Sequence, residues 1–192
     1  MRVCVFAASS SRIDGVYSDA AAELGVLCAE AGMEVVFGGG GIGLMGRLAD
    51  AVLEKGGKIT GVIPGFMKDE GWGHQNLSEM IVTRDMGERK KFMFDLADAV
   101  IALPGGIGTV EELTEAITLK QLGLFKGPVI ILNTLGYYNH FIEFLDHMIK
   151  GNFLRFEHKG IWEVVNTPSE AISAISNYTG WLEDPRSIAK IY

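Results

Sequence analysis

Short apolar runs alternate with longer amphipathic stretches along almost the whole chain, a pattern that few folds can accommodate. Six of the runs predict β-strands: Val3–Ala7, Met33–Phe37, Ile59–Ile63, Ile81–Thr83, Ala99–Leu103 and Val129–Leu132. Several are apolar almost throughout, which is typical of parallel strands covered on both faces of a sheet. Strands that alternate with helices need right-handed crossovers. We therefore predict an α/β protein with a doubly wound, mostly parallel sheet, helices on both faces and a Rossmann-like arrangement.

Two apolar stripes between these runs have the spacing of helices. The first comprises Val16, Ala20, Leu24, Leu27, Cys28 and Ala31 and ends at Gly32; the second comprises Tyr138, Phe141, Ile142, Leu145, Met148 and Ile149. No stretch resembles a linker, so residues 1–180 are predicted to form a single domain. A polar tail over residues 181–192 is expected to cover the surface or a partner subunit. The least regular segment, Pro64–Ser78, is long for a connection and is predicted to be a binding or covering loop.

The charge balance and the cysteine count exclude several classes of protein. With 17 basic and 24 acidic residues, the 192-residue chain carries a net charge of −7, which disfavours nucleic acid as a partner. The apolar run Val3–Ala8 is too short for a signal peptide or a membrane span, so we expect a cytoplasmic protein with no membrane partner. Cys4 and Cys28 are predicted to be reduced core residues. The four histidines lack metal-ligand spacing, and no metal site is predicted.

Glycine is unusually abundant, at 25 residues, and one cluster lies within Pro104–Glu112. The strand Ala99–Leu103 precedes this stretch, and a helix is predicted over Val110–Leu124. Glycines allow backbone N–H groups to approach a ligand, and a helix amino terminus adds unpaired donors and a positive dipole end. A tight turn without a ligand needs fewer glycines than the three in Gly105–Gly108. We therefore predict that this loop binds a phosphate.

Two glutamates follow the loop, and the residue pattern does not decide between them. Thr109 and Glu112 fit a capping box, with the threonine at the N-cap and the glutamate at the third helical position. Glu111 and Glu112 both point away from the apolar stripe of the predicted helix, which comprises Val110, Leu113, Ile117 and Leu124. A structural cap and a functional carboxylate therefore stay open as alternatives.

A second glycine cluster, Gly38–Gly46, lies between a strand and a helix. It contains the spacing G-x-G-x-x-G at Gly41, Gly43 and Gly46. A dinucleotide-binding fingerprint also needs an acidic residue near the end of the next strand, but Ile59–Ile63 ends in Pro64. No Gly-Lys-Ser/Thr of a Walker A loop follows. We interpret the cluster as a wall that approaches a smaller nucleotide closely, with Met45 in its apolar surface.

The segment Arg84–Lys91 is the densest basic cluster of the chain. It lies where the strand Ile81–Thr83 gives way to a helix running to about Ala97. Cations in a first helical turn oppose the helix dipole, so Arg89 and Lys90 favour an anionic ligand or a carboxylate over a solvated charged face. This helix start and the start of the Pro104–Glu112 helix follow consecutive strands. Both are expected at the carboxyl edge of a parallel sheet, where ligands of such sheets bind.

Two weaker candidates share this edge. The serines Ser9, Ser10 and Ser11 follow the first strand and offer hydroxyls. His74 lies in the irregular segment and is a candidate to face the same pocket.

Together these residues resemble the LONELY GUY (LOG) family of cytokinin riboside 5′-monophosphate phosphoribohydrolases, often labelled lysine decarboxylase-like. The family signature PGGxGTxxE is matched by Pro104, Gly105, Gly106, Gly108, Thr109 and Glu112. Its companion MHxRK is matched by Met86, Arg89 and Lys90, with Gly87 in place of the family histidine. Further matches are Gly39–Gly46, Gly73–Glu79 and Gly136–Asn139. The resemblance extends from residue 1 to about residue 178.

The resemblance implies that Arg89 and Glu112 are the catalytic pair, which selects Glu112 over Glu111. It implies hydrolysis of the N-glycosidic bond of a nucleoside 5′-monophosphate, AMP or an N6-modified AMP, to free base and ribose 5-phosphate, with no cofactor. The decarboxylase label has no support, because no lysine has the surroundings of a cofactor-binding residue. The resemblance and the residue patterns together predict these substrate-binding residues: Ser9, Gly41, Met45, Lys90, Gly105, Gly106, Ile107, Gly108 and Thr109.

The family resemblance also implies a homodimer or a higher homo-oligomer with active sites at the interface. Two other functions are weighed against the hydrolase. A non-catalytic nucleotide-binding or carrier protein of the same fold would keep the glycine loops and lose the acid–arginine pair. An oxidoreductase would need the dinucleotide fingerprint that the second glycine cluster fails to complete.

Overall fold

A seven-stranded, wholly parallel sheet forms the centre of the protein. The computed structural model describes residues 1–190, so residues 191 and 192 of the predicted tail lie outside the described chain. The strand order is β4-β3-β2-β1-β5-β6-β7. The strands are β1 Arg2–Phe6, β2 Glu34–Phe37, β3 Ile59–Pro64, β4 Glu79–Thr83, β5 Ala99–Ala102, β6 Val129–Leu132 and β7 Trp162–Val165. The predicted α/β class with a doubly wound parallel sheet is confirmed.

The two edge strands are where the strand predictions were least accurate. The run Ile81–Thr83 is the end of the longer β4, whose first residues are polar or half-exposed because this strand has only one neighbour. The seventh strand, Trp162–Val165, was not predicted. Its two middle residues are exposed, so it lacks the continuous apolar run that marked the central strands.

Within residues 1–190, six α-helices connect the strands and a seventh follows β7. They are α1 Gly15–Glu30, α2 Gly43–Glu54, α3 Gly65–Asp69, α4 Met86–Leu96, α5 Ile107–Gln121, α6 Asn139–Lys150 and α7 Pro168–Ser176. Both predicted apolar stripes form helices, as α1 and α6. No helix within residues 1–190 is both long and apolar enough to span a membrane.

Alternate side chains of each central strand enter one of two core layers. Val3 and Val5 pack in the layer with α1, α2 and α7, whereas Cys4 and Phe6 pack in the layer with α4, α5 and α6. This alternation follows from the two-residue period of a strand. Cys4 and Cys28 are both buried and unpaired, as predicted, and burial raises the pKa of the Cys28 thiol to about 12.

The direction of winding reverses between β1 and β5. The chain adds β2, β3 and β4 on one side of β1 and then returns to place β5 on its other side. The loops that follow β1 and β5 therefore diverge and leave a crevice at the carboxyl ends of these strands. Helix α4 makes the return crossing and packs against β3, β2 and β1.

The segment Pro64–Ser78 is more regular than predicted. Pro64 ends β3, α3 follows directly, and Gly73 forms an antiparallel bridge with Gly40. The bridge exists because Gly41 N donates to Trp72 O and His74 N donates to Gly39 O, both at 2.9 Å. This segment is therefore fixed against the second glycine cluster.

The described part of the tail packs against its own chain. The indole of Trp181 donates to the carbonyl of Glu157 at 3.0 Å, and residues 185–190 form short 3-10 turns.

Candidate active site

A cavity of about 620 Å³ occupies the crevice at the carboxyl ends of the central strands. Segments from five different parts of the chain line it, and its surface is mainly apolar. The lining includes Ala7, Ala8 and Ser9 after β1, Gly38, Gly40, Ile42 and Met45 after β2, Met67 and Trp72, Met86 and Arg89 of α4, and Gly106–Thr109, Glu111 and Glu112 of α5.

A buried ion pair lies in this cavity. Arg89 Nη1 is 2.9 Å from Glu112 Oε1, and each side chain is 9% exposed. The two residues are 23 positions apart in sequence and belong to different helices, α4 and α5. The structure therefore brings together the two residues that the resemblance selects as a catalytic pair.

Two backbone carbonyls hold the Arg89 guanidinium beside the glutamate. Nε donates to Val62 O at 3.0 Å, and Nη2 donates to Gly38 O at 3.4 Å. Helix α4 is capped by Asp85, whose side chain accepts from the amide of Glu88 at 2.8 Å. Arg89 is the fourth residue of α4 and lies one turn inside the helix. Its charge is offset by Glu112, as the prediction of a nearby carboxylate or anion required.

Burial raises the pKa of the Glu112 carboxyl above its ordinary value, and the Arg89 guanidinium acts in the opposite direction. A carboxylate in such surroundings is poorly solvated. It is therefore available to interact with charge that develops on a ligand in the same cavity.

The amino end of α5 differs from the prediction. The helix begins at Ile107 with Gly106 as N-cap and no side-chain cap, so the predicted capping box of Thr109 and Glu112 is wrong. Thr109 lies inside the helix and is buried against Gly105, where a Cβ would lie 2.1 Å from Thr109 Oγ1. This contact explains why position 105 is glycine.

Three backbone amides at this helix end have no partner. Within the described chain, the N–H groups of Ile107, Gly108 and Thr109 form no hydrogen bond, and these residues line the cavity. Unpaired amides at the positive end of a helix dipole suit an anion such as a phosphate. Of the five loop residues predicted to bind substrate, Gly106 to Thr109 face the cavity, whereas Gly105 lies behind them.

Lys90 has a different environment from the one expected of a ligand-binding residue. Its ammonium forms ion pairs with Glu111 and with Glu115 Oε2, the latter at 2.8 Å, and it does not line the cavity. These pairs join α4 to α5 next to the buried pair and raise the pKa of Lys90. Glu111 is half-exposed, in contrast to Glu112.

The second glycine cluster does not present a helix amino terminus to the cavity. The amides of Leu44 and Met45, at the start of α2, already donate to Ala8 O at 2.9 and 3.3 Å. Gly43 has φ +69°, and a Cβ there would lie 2.6 Å from Ser10 O. These contacts occupy the amides of Leu44 and Met45, which agrees with the interpretation of the cluster as a wall. Met45, which was predicted to form the apolar part of this wall, lines the cavity.

Of three further predicted residues, one lines the cavity and two lie outside it. Gly41 packs against the backbone of His74 and lies outside the cavity, which Gly40 lines in its place. His74 also lies outside the cavity, where Nε2 pairs with Asp50 at 3.0 Å and Nδ1 accepts from Asn76 N. Ser9 lines the cavity. Gly87 stands where the family has a histidine. A Cβ at this position would have Asp85 Oδ1, at 3.3 Å, as its one neighbour within 4 Å, so there is space beside the backbone for a side chain.

Sequence reasoning missed several residues around the loop. Tyr137 donates its hydroxyl hydrogen to Gly105 O, and Tyr138 donates its own to Leu103 O, both at 2.7 Å. These two tyrosines therefore bind the backbone that directly follows β5. The Gly136–Asn139 motif was a signal for this role. Trp72 and Met67 also line the cavity, and only tertiary packing identifies them.

Replacement of Gly38 by alanine tests the position of the arginine. A Cβ at Gly38 would lie 2.0 Å from Arg89 Nη2, so Gly38→Ala must displace the guanidinium. Small displacements of a positioned group cost about 10- to 100-fold in rate, and we expect kcat/KM for the hydrolysis that the family resemblance implies to fall by that factor. Gly15→Ala, where a Cβ meets nothing within 4 Å, is the matched control. Equal activity of Gly38→Ala and wild type would contradict this role of the glycine.

A family model described as "Possible lysine decarboxylase" matches residues 45–175. Cytokinin riboside 5′-monophosphate phosphoribohydrolase LOG5 of Arabidopsis thaliana is 40% identical over 177 residues, covering 92% of this chain and 78% of the relative. Cytokinin riboside 5′-monophosphate phosphoribohydrolase LOG of Oryza sativa subsp. japonica is also 40% identical, covering 92% of this chain and 73% of the relative.

Solved structures share the fold over nearly the whole chain. The molybdenum cofactor carrier protein of Chlamydomonas reinhardtii superposes with a TM-score of 0.70 at 23% identity, covering 91% of this chain and 95% of that one. The X-ray structure of TM1055 superposes with a TM-score of 0.69 at 26% identity, covering 92% and 99%. The same sheet and helices therefore occur in a carrier protein, so the fold alone does not fix the activity.

Proposed function

Because this chain belongs to the LOG family of phosphoribohydrolases, we propose that it hydrolyses the N-glycosidic bond of a purine nucleoside 5′-monophosphate, AMP or an N6-modified AMP. The products are the free base and ribose 5-phosphate. The observation that carries the proposal is the buried Arg89–Glu112 pair, which shares one cavity with the unpaired amides of α5. A carrier needs the amides to hold a phosphate but has no need of a buried carboxylate beside them.

The proposed binding mode assigns the phosphate to the amino end of α5. The amides of Ile107, Gly108 and Thr109 supply hydrogen bonds, and Ser9 lines the same cavity. The base lies on the apolar side of the cavity against Met45. Binding energy from the phosphate then holds the sugar in place and contributes to the rate at a distant bond.

The proposed reaction takes place at the ribose, which lies between the phosphate and the base. Cleavage of the C1′–N9 bond develops positive charge on the ribose, as in glycoside hydrolysis. We assign to Glu112 the stabilisation of that cation, contact with the ribose hydroxyls and orientation of the attacking water. Water adds to C1′ and becomes the 1-hydroxyl of ribose 5-phosphate, the C1′–N9 electron pair leaves with the base, and the proton released by the water ends on the base. Arg89 positions Glu112 through the 2.9 Å pair.

A homodimer or higher homo-oligomer stays a prediction from the family. Exposed apolar side chains at the mouth of the cavity support it. Ile107 is 88% exposed, and Ile42 and Trp72 are more than half exposed, although all three line the cavity. Exposed apolar residues in contact with a site favour coverage by a ligand or by a second copy.

Assay of free base from matched substrates tests the proposal. We expect base release from AMP or N6-isopentenyl-AMP, together with ribose 5-phosphate in equal amount. Adenosine lacks only the phosphate, and its kcat/KM is expected to be about 100-fold lower, which corresponds to about 2.7 kcal/mol of lost transition-state stabilisation. Failure to release base from any purine nucleotide would overturn the proposed activity. Equal kcat/KM for adenosine and AMP would overturn the assignment of the phosphate to α5.

The pH dependence of the reaction tests the role of Glu112. The reaction as proposed needs the ionised carboxylate, and burial raises the pKa of this group above its ordinary value. Activity is therefore present above that raised pKa and is lost as the pH falls through it. We expect the acid limb of kcat/KM above about pH 4.3, the ordinary value for glutamate. An acid limb below that value, with the fold intact by circular dichroism, would contradict this role.

A further inference from the structure

Lys120 is a buried lysine without an anionic partner. It lies in the last turn of α5 and is 2% exposed, yet within residues 1–190 no carboxylate lies within 4 Å of its ammonium and no acceptor bonds to it. Nζ lies 4.6 Å from the centroid of the Tyr178 ring, a cation–π contact. Burial lowers the pKa of Lys120 to about 8, and the more distant Glu163 acts in the opposite direction.

The same lysine borders two cavities that are separate from the candidate active site. One, of about 830 Å³, lies beside β7 and α7, and the other, of about 400 Å³, lies beside residues 181–186. Lys120 and Tyr178 line both cavities, and neither residue lines the cavity of the candidate active site. Lys120 follows Glu112 by eight residues on α5, which is about 12 Å along a helix axis.

A second polar group at this boundary is also unsatisfied. The Tyr178 hydroxyl is buried and has no hydrogen-bond partner in the described chain, and burial raises its pKa. Two carboxylates line the larger cavity, but neither satisfies these donors. Glu170 already accepts from the amides of Asn166 and Thr167, at 2.7 and 3.2 Å, and Glu163 is exposed.

Buried donors without acceptors destabilise a fold. An unpaired buried charge costs free energy, and local features of this kind concentrate at functional sites. The carboxyl end of α5 favours a cation at this position, but it supplies no acceptor to Nζ. A ligand that carries negative oxygen atoms would satisfy the ammonium and the phenol together.

We propose that Lys120 and Tyr178 form a second binding site, which holds the carboxylate or phosphate group of a small molecule in the cavity beside β7. The ammonium supplies the charge and up to three donors, and the phenol supplies one further donor. This proposal is independent of the proposed function, because it involves the opposite end of α5.

NMR of the lysine side chains in the full chain tests the site directly. The Lys120 ¹³Cε signal is assigned by its loss in Lys120→Arg and is followed during titration with inorganic phosphate or acetate, at ionic strength held constant with NaCl. We expect a saturable shift with at least one of the two anions and a rise of at least one unit in the Lys120 pKa. The anion that saturates identifies the ligand group. Because the readout is Lys120 itself, binding of phosphate at α5 does not register as a positive result.

Two comparisons complete the test. Tyr178→Phe removes only the hydroxyl and is expected to weaken anion binding at least threefold, whereas the signal of the exposed Lys150 should not follow the titration. The proposal is overturned if neither anion shifts Lys120 beyond the effect of NaCl, or if Lys150 responds equally. It is also overturned if the Lys120 signal depends on protein concentration instead of anion concentration, because a second copy would then cover the cavity.

Discussion

Glu112→Gln is expected to lower kcat for base release from AMP by about 1,000-fold, within the range for loss of one catalytic acid–base or charge-stabilising group. Glutamine keeps the size of the side chain and can still accept a hydrogen bond from Arg89, but it cannot carry the charge that opposes a ribosyl cation. The KM for AMP should change much less, because the phosphate is assigned to the amides of α5. Initial rates of adenine release, measured by chromatography over a range of AMP concentrations, separate the two constants.

Glu111→Gln is the matched comparison for this variant. Glu111 is the adjacent carboxylate on α5, but it is half-exposed and pairs with Lys90. We expect an effect below 10-fold, because a screened surface pair contributes little. Were Glu111→Gln the more damaging of the two, the choice of Glu112 would be wrong. Near-wild-type kcat in folded Glu112→Gln would remove the catalytic assignment altogether.

Arg89→Ala is expected to destabilise the protein by about 3–5 kcal/mol and to abolish measurable base release. Removal of one partner of a buried pair leaves the other as an uncompensated charge, and here Glu112 would stay in a site that already raises its pKa. The variant also leaves Val62 O and Gly38 O without their donor. Urea unfolding monitored by circular dichroism gives the free energy of unfolding. Arg84→Ala, at an exposed arginine on the same segment, should leave Tm and activity unchanged.

The double variant Arg89→Met/Glu112→Leu separates stability from function. Replacement of a whole buried pair by apolar side chains of similar volume is often neutral or stabilising, so we expect most of the lost stability to return. Activity should stay absent, because no carboxylate remains in the cavity. A double variant as unstable as Arg89→Ala would show that the pair is needed for the fold. Recovery of stability together with activity would contradict the proposed mechanism.

The local pattern of the sequence predicted the elements at the centre of the sheet well. Strands such as Val129–Leu132 are buried on both faces, so their residues must be apolar throughout, and the sequence alone carries that requirement. The edge strand Trp162–Val165 was missed because its exposed residues need not be apolar. The capping box at Thr109 was wrong for a related reason. The local pattern fits two helix starts, and the one that forms puts Thr109 inside the helix against Gly105.

Some features of the site were likewise local in the sequence, and others were not. Glycine loops and a helix start after a strand indicated a phosphate site, because those features act through the local backbone. The choice between Glu111 and Glu112 was not local. It depends on α4, which crosses beneath the sheet from the edge strand β4 and brings Arg89 to within 2.9 Å of Glu112 Oε1. Lys90, next to Arg89 in sequence, faces another direction and binds Glu111 and Glu115.

Local residue patterns were therefore enough to predict the fold class, the edge of the sheet that holds the cavity and the residue types available there. Periodicity and backbone chemistry are properties of neighbouring residues, and they need no knowledge of distant ones. The meeting of distant segments put Glu112, and not Glu111, in the buried pair with the arginine, and it put Gly106 and Gly108, but not Gly105, on the cavity surface. It also put His74 outside the cavity and left Lys120 without a carboxylate within 4 Å in residues 1–190. Burial and charge pairing depend on residues that are far apart in the chain and meet only after folding.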